Sequence, residues 1–446
     1  MAGAIHVSSA SEPSSGRWDT AYEWKTVALL TLGFGLVGLD RWVIADLAGL
    51  KGSSMVPDLG LNPQDVGNLV SILGITWGVS ALFMGSLSDR FGRKAVLVPA
   101  LLAFSVLSGV SGLSTGLMMM ALCRGVMGVS EGAFAPASFA SVAEASMPKR
   151  RGFNLGLQQS AFALFGLGFA PIITAHLLDH MSWRWVFAIV GIPGLIVAIL
   201  VAMHIREPAT VTARKAASST PAPKMSVKAM FSHRNVPLSM ICLLCAMCGI
   251  FVISAFAPAY LTGYLKLDDK TAANVAAAIG FGGFFGQWLL PSASDLFGRR
   301  TMATVGFLIG AAFLLLFMRL TAASGGVLLF VTLFISAGFA FGLLSLITGP
   351  IAAEAAPLGM IAGTAGAIMA VGEIFGGGVA PAIGGYIAQN FGIQNVLWLA
   401  FGGLAVGTVL SLAYKETAPK FAKSGHGAES ALDVYEDEHP EGIAKG

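Results

Sequence analysis

Four charged residues lie inside stretches too apolar to solvate them. Asp40 and Arg41 fall within residues 24–48, and Arg124 and Glu131 within 117–140. A charge deep in a bilayer costs roughly 2.5–3.5 kcal/mol on insertion scales, so such groups normally face an internal cavity and have a task there. Mixed signs on two segments suggest a buried route for an ion or a small charged solute. Arginine offers a forked set of donors that suits a carboxylate and stays charged at any working pH. A carboxylate abandoned by its cation in a dry cavity takes up a proton. In the empty state Arg41 and Arg124 are expected to pair with Asp40 or Glu131, and an incoming anion then competes for the arginines. Anion and proton would favour each other's binding, a coupling between two sites. The plainer reading is a set of ion pairs that merely lock two helices.

Other residues join this set as candidates. Glu373 sits mid-span among Gly372, Gly376, Gly377 and Gly378, where glycines allow close helix approach. It suits a second proton site, a substrate contact or a satisfied structural carboxylate. Gln158 and Gln159 can donate to a substrate hydroxyl or bond between helices. Tyr260, with Trp42, Trp77 and Trp288, could line a cavity and stack on a ring, although spans are rich in aromatics that pack or sit at interfaces. Asp46, near the end of the first stretch, is expected to be solvated.

The elements that must hold these residues follow from composition. The chain has 446 residues, 55% hydrophobic and 11% charged, with a mean hydropathy of +0.75, which excludes a soluble globular protein. A spanning helix needs about 20 apolar residues. Such stretches occur near 24–48, 65–88, 95–113, 117–140, 153–178 and 185–204, and again near 236–262, 271–293, 301–320, 325–348, 361–388 and 394–414. A β-barrel would show short alternating segments of about ten residues instead. The expected fold is an all-α membrane protein with 12 transmembrane helices. Asp40 lies about 22 Å along the first helix and Arg124 about 10 Å into the fourth, which runs the other way. Both therefore reach similar depths, and Arg124 and Glu131, seven apart, share one helix face.

Charge placement sets the expected topology. Of the 27 Lys and Arg, only Lys51, Arg184, Lys266, Lys270 and Arg319 fall outside the cytoplasmic segments, besides Arg41 and Arg124 in spans, if both termini are cytoplasmic. Residues 1–23 show no basic region followed by a cleavable apolar core, so the first span is expected to be retained. Cys123, Cys242, Cys245 and Cys248 read as packing residues, and no metal site or other cofactor is expected. All seven His fall in tails, loops or span ends, which argues against an intramembrane enzyme, as no catalytic set lies at depth. Nothing suggests a nucleic-acid partner.

The chain divides into two halves. A polar break over 205–235 separates six spans (24–204) from six more (236–414), with tails at 1–23 and 415–446. Gly85-Ser-Leu-Ser-Asp89-Arg90-Phe-Gly92-Arg93-Lys94 is echoed 206 residues later by Pro291-Ser-Ala-Ser-Asp295-Leu-Phe-Gly298-Arg299-Arg300. Ala143-Glu144-Ala145 is echoed by Ala353-Glu354-Ala355. Phe165-Gly166 with Ala170-Pro171 is echoed by Phe375-Gly376 with Ala380-Pro381, both at an offset of 210. Two pseudo-symmetric halves would place a binding site between them near the midplane. Gly85, Asp89, Arg90, Gly92 and Arg93, and in the second half Asp295 and Arg299, read as gate residues: a carboxylate, a tight turn and a cation cluster at helix ends. Glu144 and Glu354 read as gating or salt-bridge partners. Pro291 and Leu296 replace a Gly and an Arg, so the second gate is expected to be the weaker.

The loop Gly85-x-Leu87-x-Asp89-Arg90-x-Gly92-Arg93-Lys94 resembles the signature of the major facilitator superfamily. Within it the chain is most similar to the anion:cation symporters. The resemblance covers Leu39 to Pro193 well, through Asp40-Arg41, Arg124-Gly-x-x-Gly128-x-x-Glu131-Gly132 with Pro136, Pro148, Arg151-Gly152 and Trp183-Arg184-Trp185. It is looser in the second half, at Pro258-x-Tyr260-Leu261 and Gly376-Gly377 with Pro381. The resemblance implies proton coupling at Asp40 and Glu131, and organic-anion binding at Arg41 and Arg124. Glu373 departs from it, since an uncharged polar residue is expected there. The implied function is proton-coupled uptake of a small organic anion (a sugar acid, dicarboxylate or aromatic carboxylate) by a monomer among the lipids of a plasma membrane, the bacterial inner membrane. Proton antiport of a drug or metabolite is the rival, though the Gly-Pro-x-x-Gly-Gly run of such exporters is missing at Gly166–Ile173. A non-transporting solute receptor is a third reading.

Overall fold

The computed structural model describes residues 19–206, 231, 233–356 and 361–418. Most of the break expected over 205–235 and most of both tails therefore lie outside the described residues. Within them, 12 helices are long and apolar enough to span a membrane. In the first half these are α1 (Thr20–Gly49), α2 (Pro63–Phe91), α3 (Arg93–Ser111), α4 (Leu117–Ala145), α5 (Arg151–Leu178) and α6 (Trp183–His204). In the second they are α7 (Asn235–Tyr264), α8 (Asp269–Phe297), α9 (Arg299–Arg319), α10 (Gly326–Ala355), α11 (Gly363–Phe391) and α12 (Ile393–Ser411). Helices are the natural solution because each satisfies its own backbone polar groups in lipid.

Local chemistry sets the ends. Asn62 and Asp65 form a capping box at the start of α2, with reciprocal bonds of 2.9 and 3.0 Å, and Pro63 occupies the first turn. Gly92 and Gly298, at φ +110° and +92°, make the tight turns from α2 into α3 and from α8 into α9, a conformation that favours glycine. Several helices outrun their apolar stretches: α4 reaches Ala145, α8 Phe297 and α10 Ala355. Polar residues can continue a helix once it has left the hydrocarbon.

Among the described residues four turns widen to π-helix: Leu164–Phe169, Tyr260–Tyr264, Ile347–Ile351 and Gly372–Val379. The first and last fall on the Phe-Gly…Ala-Pro echo. Pro171 and Pro381 lack an N–H, and the widened turns absorb the missing helical bonds.

Each half repeats one packing scheme. In the first, α2 packs on α4 and α3 on α6; in the second, α8 packs on α10 and α9 on α12. The halves meet along α1–α7, α2–α11 and α5–α8. Glycines bring backbones together there. A Cβ on Gly74 would lie 2.6 Å from the Gly377 carbonyl oxygen, and one on Gly67 would lie 2.9 Å from the Gly385 Cα. Gly280 presses on Gly168 and Leu167 across the α5–α8 seam.

The even number of spans places both described chain ends at one face, the terminal face; the other is the distal face. At the distal face the halves are tied. The Asp269 carboxylate accepts from the Lys51 and Gly52 amides at 2.9 and 2.6 Å, and Lys51 Nζ donates to the Leu267 carbonyl. Thr262 donates to the Gly49 carbonyl, and Gln64 Nε2 to that of Ala382. Lys270 pairs with Asp179 at 3.0 Å, and its hydrogen bond holds that carboxyl below the usual carboxylate range.

Candidate functional site

The charged residues converge near mid-bundle. Gly128 and Gly132 let α4 sit close against Leu73 and Trp77 of α2, while the Arg124 guanidinium of α4 reaches α1. Arg41, Arg124 and Glu131 are fully buried, and Asp40 and Glu373 nearly so.

Arg41 bridges the halves. Its Nη2 donates to Glu373 Oε2 at 2.9 Å, from α1 to the widened turn of α11. Its Nε and Nη1 have no acceptor. Aromatic rings surround the guanidinium: its carbon lies 4.5 Å from the Phe251 centroid, 5.7 Å from Trp42, and 5.9 Å from both Trp77 and Phe162. These rings come from α7, α1, α2 and α5, so both halves build the enclosure.

Arg124 does something other than expected. Its Nη1 and Nη2 donate to the main-chain carbonyls of Asp40 and Arg41, at 3.0 and 2.7 Å. The fork that was to seize an anion grips α1 instead and fixes where Arg41 stands; only Nε is left without a partner. The expected pairing of the arginines with Asp40 or Glu131 also gives way, since the carboxylate on Arg41 is Glu373. Helix direction decides this: Arg41 points across the interface between the halves and Arg124 points back at its own half. Neither Glu131 oxygen has a hydrogen-bond partner, and Asp40 Oδ1 has none. Asp46 is buried at 3% exposure rather than solvated, because α1 stays inside the bundle along most of its length.

The remaining candidates separate. Gln158 is buried and donates to the Ser138 hydroxyl at 2.9 Å within its own half, with Oε1 unmet. Gln159 is partly buried. Tyr260 packs against Tyr264 and Phe317, with centroids 5.2 and 5.9 Å apart, on the α9 side of its half. A groove of about 320 Å³ between α8, α9 and α10 is lined by apolar residues such as Gly286, Leu289, Met302 and Phe339, and has nothing to hold an anion.

The expected gate residues form two related clasps at the terminal face. Arg93 donates to Glu144 at 2.8 and 3.3 Å and to Ser88 at 2.6 Å. Arg299 makes the equivalent bonds to Glu354 at 2.9 and 3.1 Å and to Ser294 at 2.6 Å, and adds Asp295. The second clasp, expected to be the weaker, is held by these bonds and by neighbours from the end of the chain. Glu416 also accepts from the Arg299 and Arg300 amides, and Thr417 donates to Glu354. The substituted Pro291 and Leu296 take no part in these bonds, and Leu296 is exposed. In the first loop Arg90 is exposed beside the Phe91 ring, and a Cβ on Gly85 would meet Pro136 at an ordinary contact distance. Asp89 stands near the end of α2, but its side chain lies outside the described residues.

Sequence reasoning did not single out Phe251 or Phe162. Each is one aromatic among the 29 Phe of an apolar chain, and no spacing marks a ring that will meet a cation from another helix.

Comparison with known proteins agrees with this architecture. A family model described as the Major Facilitator Superfamily matches residues 30–366 and 239–437. A probable 4-methylmuconolactone transporter of Cupriavidus pinatubonensis is 25% identical over 365 residues, covering 80% of each chain. A sialic acid transporter of Escherichia coli is 26% identical over 389 residues, covering 84% of this chain and 90% of its own. Among solved structures, a bacterial homologue of the human lysosomal transporter Spinster, in an inward-facing and unoccupied conformation, superposes with a TM-score of 0.69. It is 17% identical and covers 89% of this chain and 97% of its own.

Proposed function

The chain belongs to the Major Facilitator Superfamily, and on that premise we propose that it carries a small organic anion inward together with a proton by alternating access. It is a membrane transporter, not an enzyme. The relatives named for organic acids support an organic anion as the cargo. The excess of Lys and Arg on one side supports cytoplasmic termini in a bacterial inner membrane. The protein works as a monomer in this reading.

The observation that carries the proposal is the buried Arg41–Glu373 pair, which joins the halves near Glu131, whose two oxygens have no hydrogen-bond partner. An anion arriving from the distal side, once the ties there have opened, competes with Glu373 for Arg41, and it leaves by the terminal face. The displaced Glu373 loses its partner, and a proton is the ligand that satisfies it in a dry site. Glu131 and Asp40 are further proton carriers, close enough to feel the same event. Three carboxyls and two guanidiniums leave one negative charge in excess when all are ionised. Adding an anion raises that excess, and protons remove it. Substrate and proton thus assist each other, as coupling between two sites requires. Loss of the Arg41–Glu373 bridge also frees the halves to move.

The test is uptake by proteoliposomes of sugar acids, dicarboxylates and aromatic acids, with and without an inward proton gradient. Accumulation of one acid only with the gradient is the expected result. Accumulation unaffected by the gradient would refute proton coupling. Extrusion driven by the opposite gradient would make the protein an antiporter.

A further inference from the structure

We infer that the cargo is a monocarboxylate on a flat, unsaturated ring, recognised by Arg41 at its head and by Phe251, Trp77, Trp42 and Phe162 around its body. This rests on the transport reading above and narrows its substrate.

The head follows from counting free cations. Arg124 has committed both terminal nitrogens to α1 carbonyls. Arg124 keeps a single unmet donor, Nε, whereas Arg41 keeps two, Nε and Nη1, and its Nη2 is held only by Glu373. One carboxylate that takes Nη2 from Glu373 and adds a neighbouring nitrogen completes a two-point bond. A second carboxylate would find neither terminal nitrogen of Arg124 free for a two-point bond, and would meet Glu373, Glu131 and Asp40.

The body follows from what surrounds that head. A polyhydroxylated acid needs side chains that donate and accept along its length, because each buried hydroxyl left unpaired costs free energy. The donors of three polar side chains on the helices that carry these rings are already engaged, while the Ser254 hydroxyl of α7 and the Gln158 and Asn154 amide oxygens are unmet. Thr76 bonds to carbonyls of its own helix, Gln158 Nε2 to Ser138, and Asn154 Nδ2 to Glu23 and Ser146. Four rings stand around the guanidinium, and a flat ring can stack on them beside it. The indole N–H groups of Trp42 and Trp77 are buried without acceptors, so a ring nitrogen or carbonyl at the cargo's edge would be met.

Counterflow into proteoliposomes, measured against protein-free vesicles, can compare nicotinate, gluconate and terephthalate. These are a flat monocarboxylate, a polyol monocarboxylate and a flat dicarboxylate. Nicotinate is expected to exchange at least tenfold faster than either. Preference for gluconate overturns the flat body, and preference for terephthalate overturns the single head, while transport itself stands in both cases. No exchange of any acid by folded protein overturns the transport reading, and this inference with it. A further check is Phe251→Leu, expected to raise the KM for nicotinate about tenfold with little change in maximal rate, and Phe251→Tyr, expected to restore it. An unchanged KM in Phe251→Leu would remove the ring from the site.

Discussion

Arg93 with Ser88 and Glu144 in the first half corresponds, bond for bond, to Arg299 with Ser294 and Glu354 in the second. The middle of the bundle shows no such correspondence. At the offset of 210, Arg124 and Glu131 meet Phe334 and Phe341, and Arg41 meets Phe251. That last match is a physical contact as well, since the guanidinium lies against the ring. Residues retained in both halves at the terminal face serve what the halves have in common, the closing of a helix pair. Charges present on one side only serve what the pair does together. The repeat thus separates architecture from chemistry.

The comparison can be broken most directly at its unrepeated end. Arg41→Lys is expected to reduce transport more than 100-fold with normal folded yield, because an ammonium cannot reproduce the fork. The rate of uptake per folded molecule checks this, and an equal loss in Arg299→Lys would erase the distinction. Next in size, Glu131→Gln is expected to abolish the response to a proton gradient while counterflow persists within about tenfold of wild type. Loss of both together would give Glu131 a structural role.

At the repeated end the expected effects are on stability. Arg299→Ala leaves Glu354 without its cation and should cost about 2 kcal/mol, against about 1 kcal/mol for Arg93→Ala, whose partner is more exposed. Thermal unfolding in detergent would rank them, and the reverse order would contradict the greater burial of the Glu354 pair. The smallest effect is expected at the distal tie. Asp269→Ala, which releases the Lys51 and Gly52 amides, should raise labelling of a cysteine placed inside that face by two- to fivefold, from about 1 kcal/mol of lost hydrogen bonding.

The sequence made the spans, the division into halves and the clasps legible, because each rests on a local pattern: apolar length, a repeat offset, a Gly turn beside cations. It also picked out the buried charges, since their expense in lipid is independent of what they touch. Partners were another matter. Arg41 meets Glu373 across 332 residues of chain, and no periodicity reports which way a guanidinium leans between two halves. The partners of Arg124 were hidden for the same reason: a fork that fits a carboxylate also fits two successive carbonyls. Asp46 was misplaced because depth along one helix does not reveal how far its neighbours extend. The π-helical turns left a faint trace, the Pro in each Phe-Gly…Ala-Pro echo.

The glycine seams have a mechanical consequence. Where α2 meets α11, Gly67, Gly74 and Gly78 face Pro381, Gly377, Gly385 and Ile374 with little beyond main chain between them. Interdigitated side chains behave like meshed teeth, and sliding them demands that rotamers unlock in concert. A smooth backbone-to-backbone bearing has no teeth. One half can pivot on the other with low friction while its own core stays packed, and adding even a methyl group at Gly74 would jam the hinge without touching any charge.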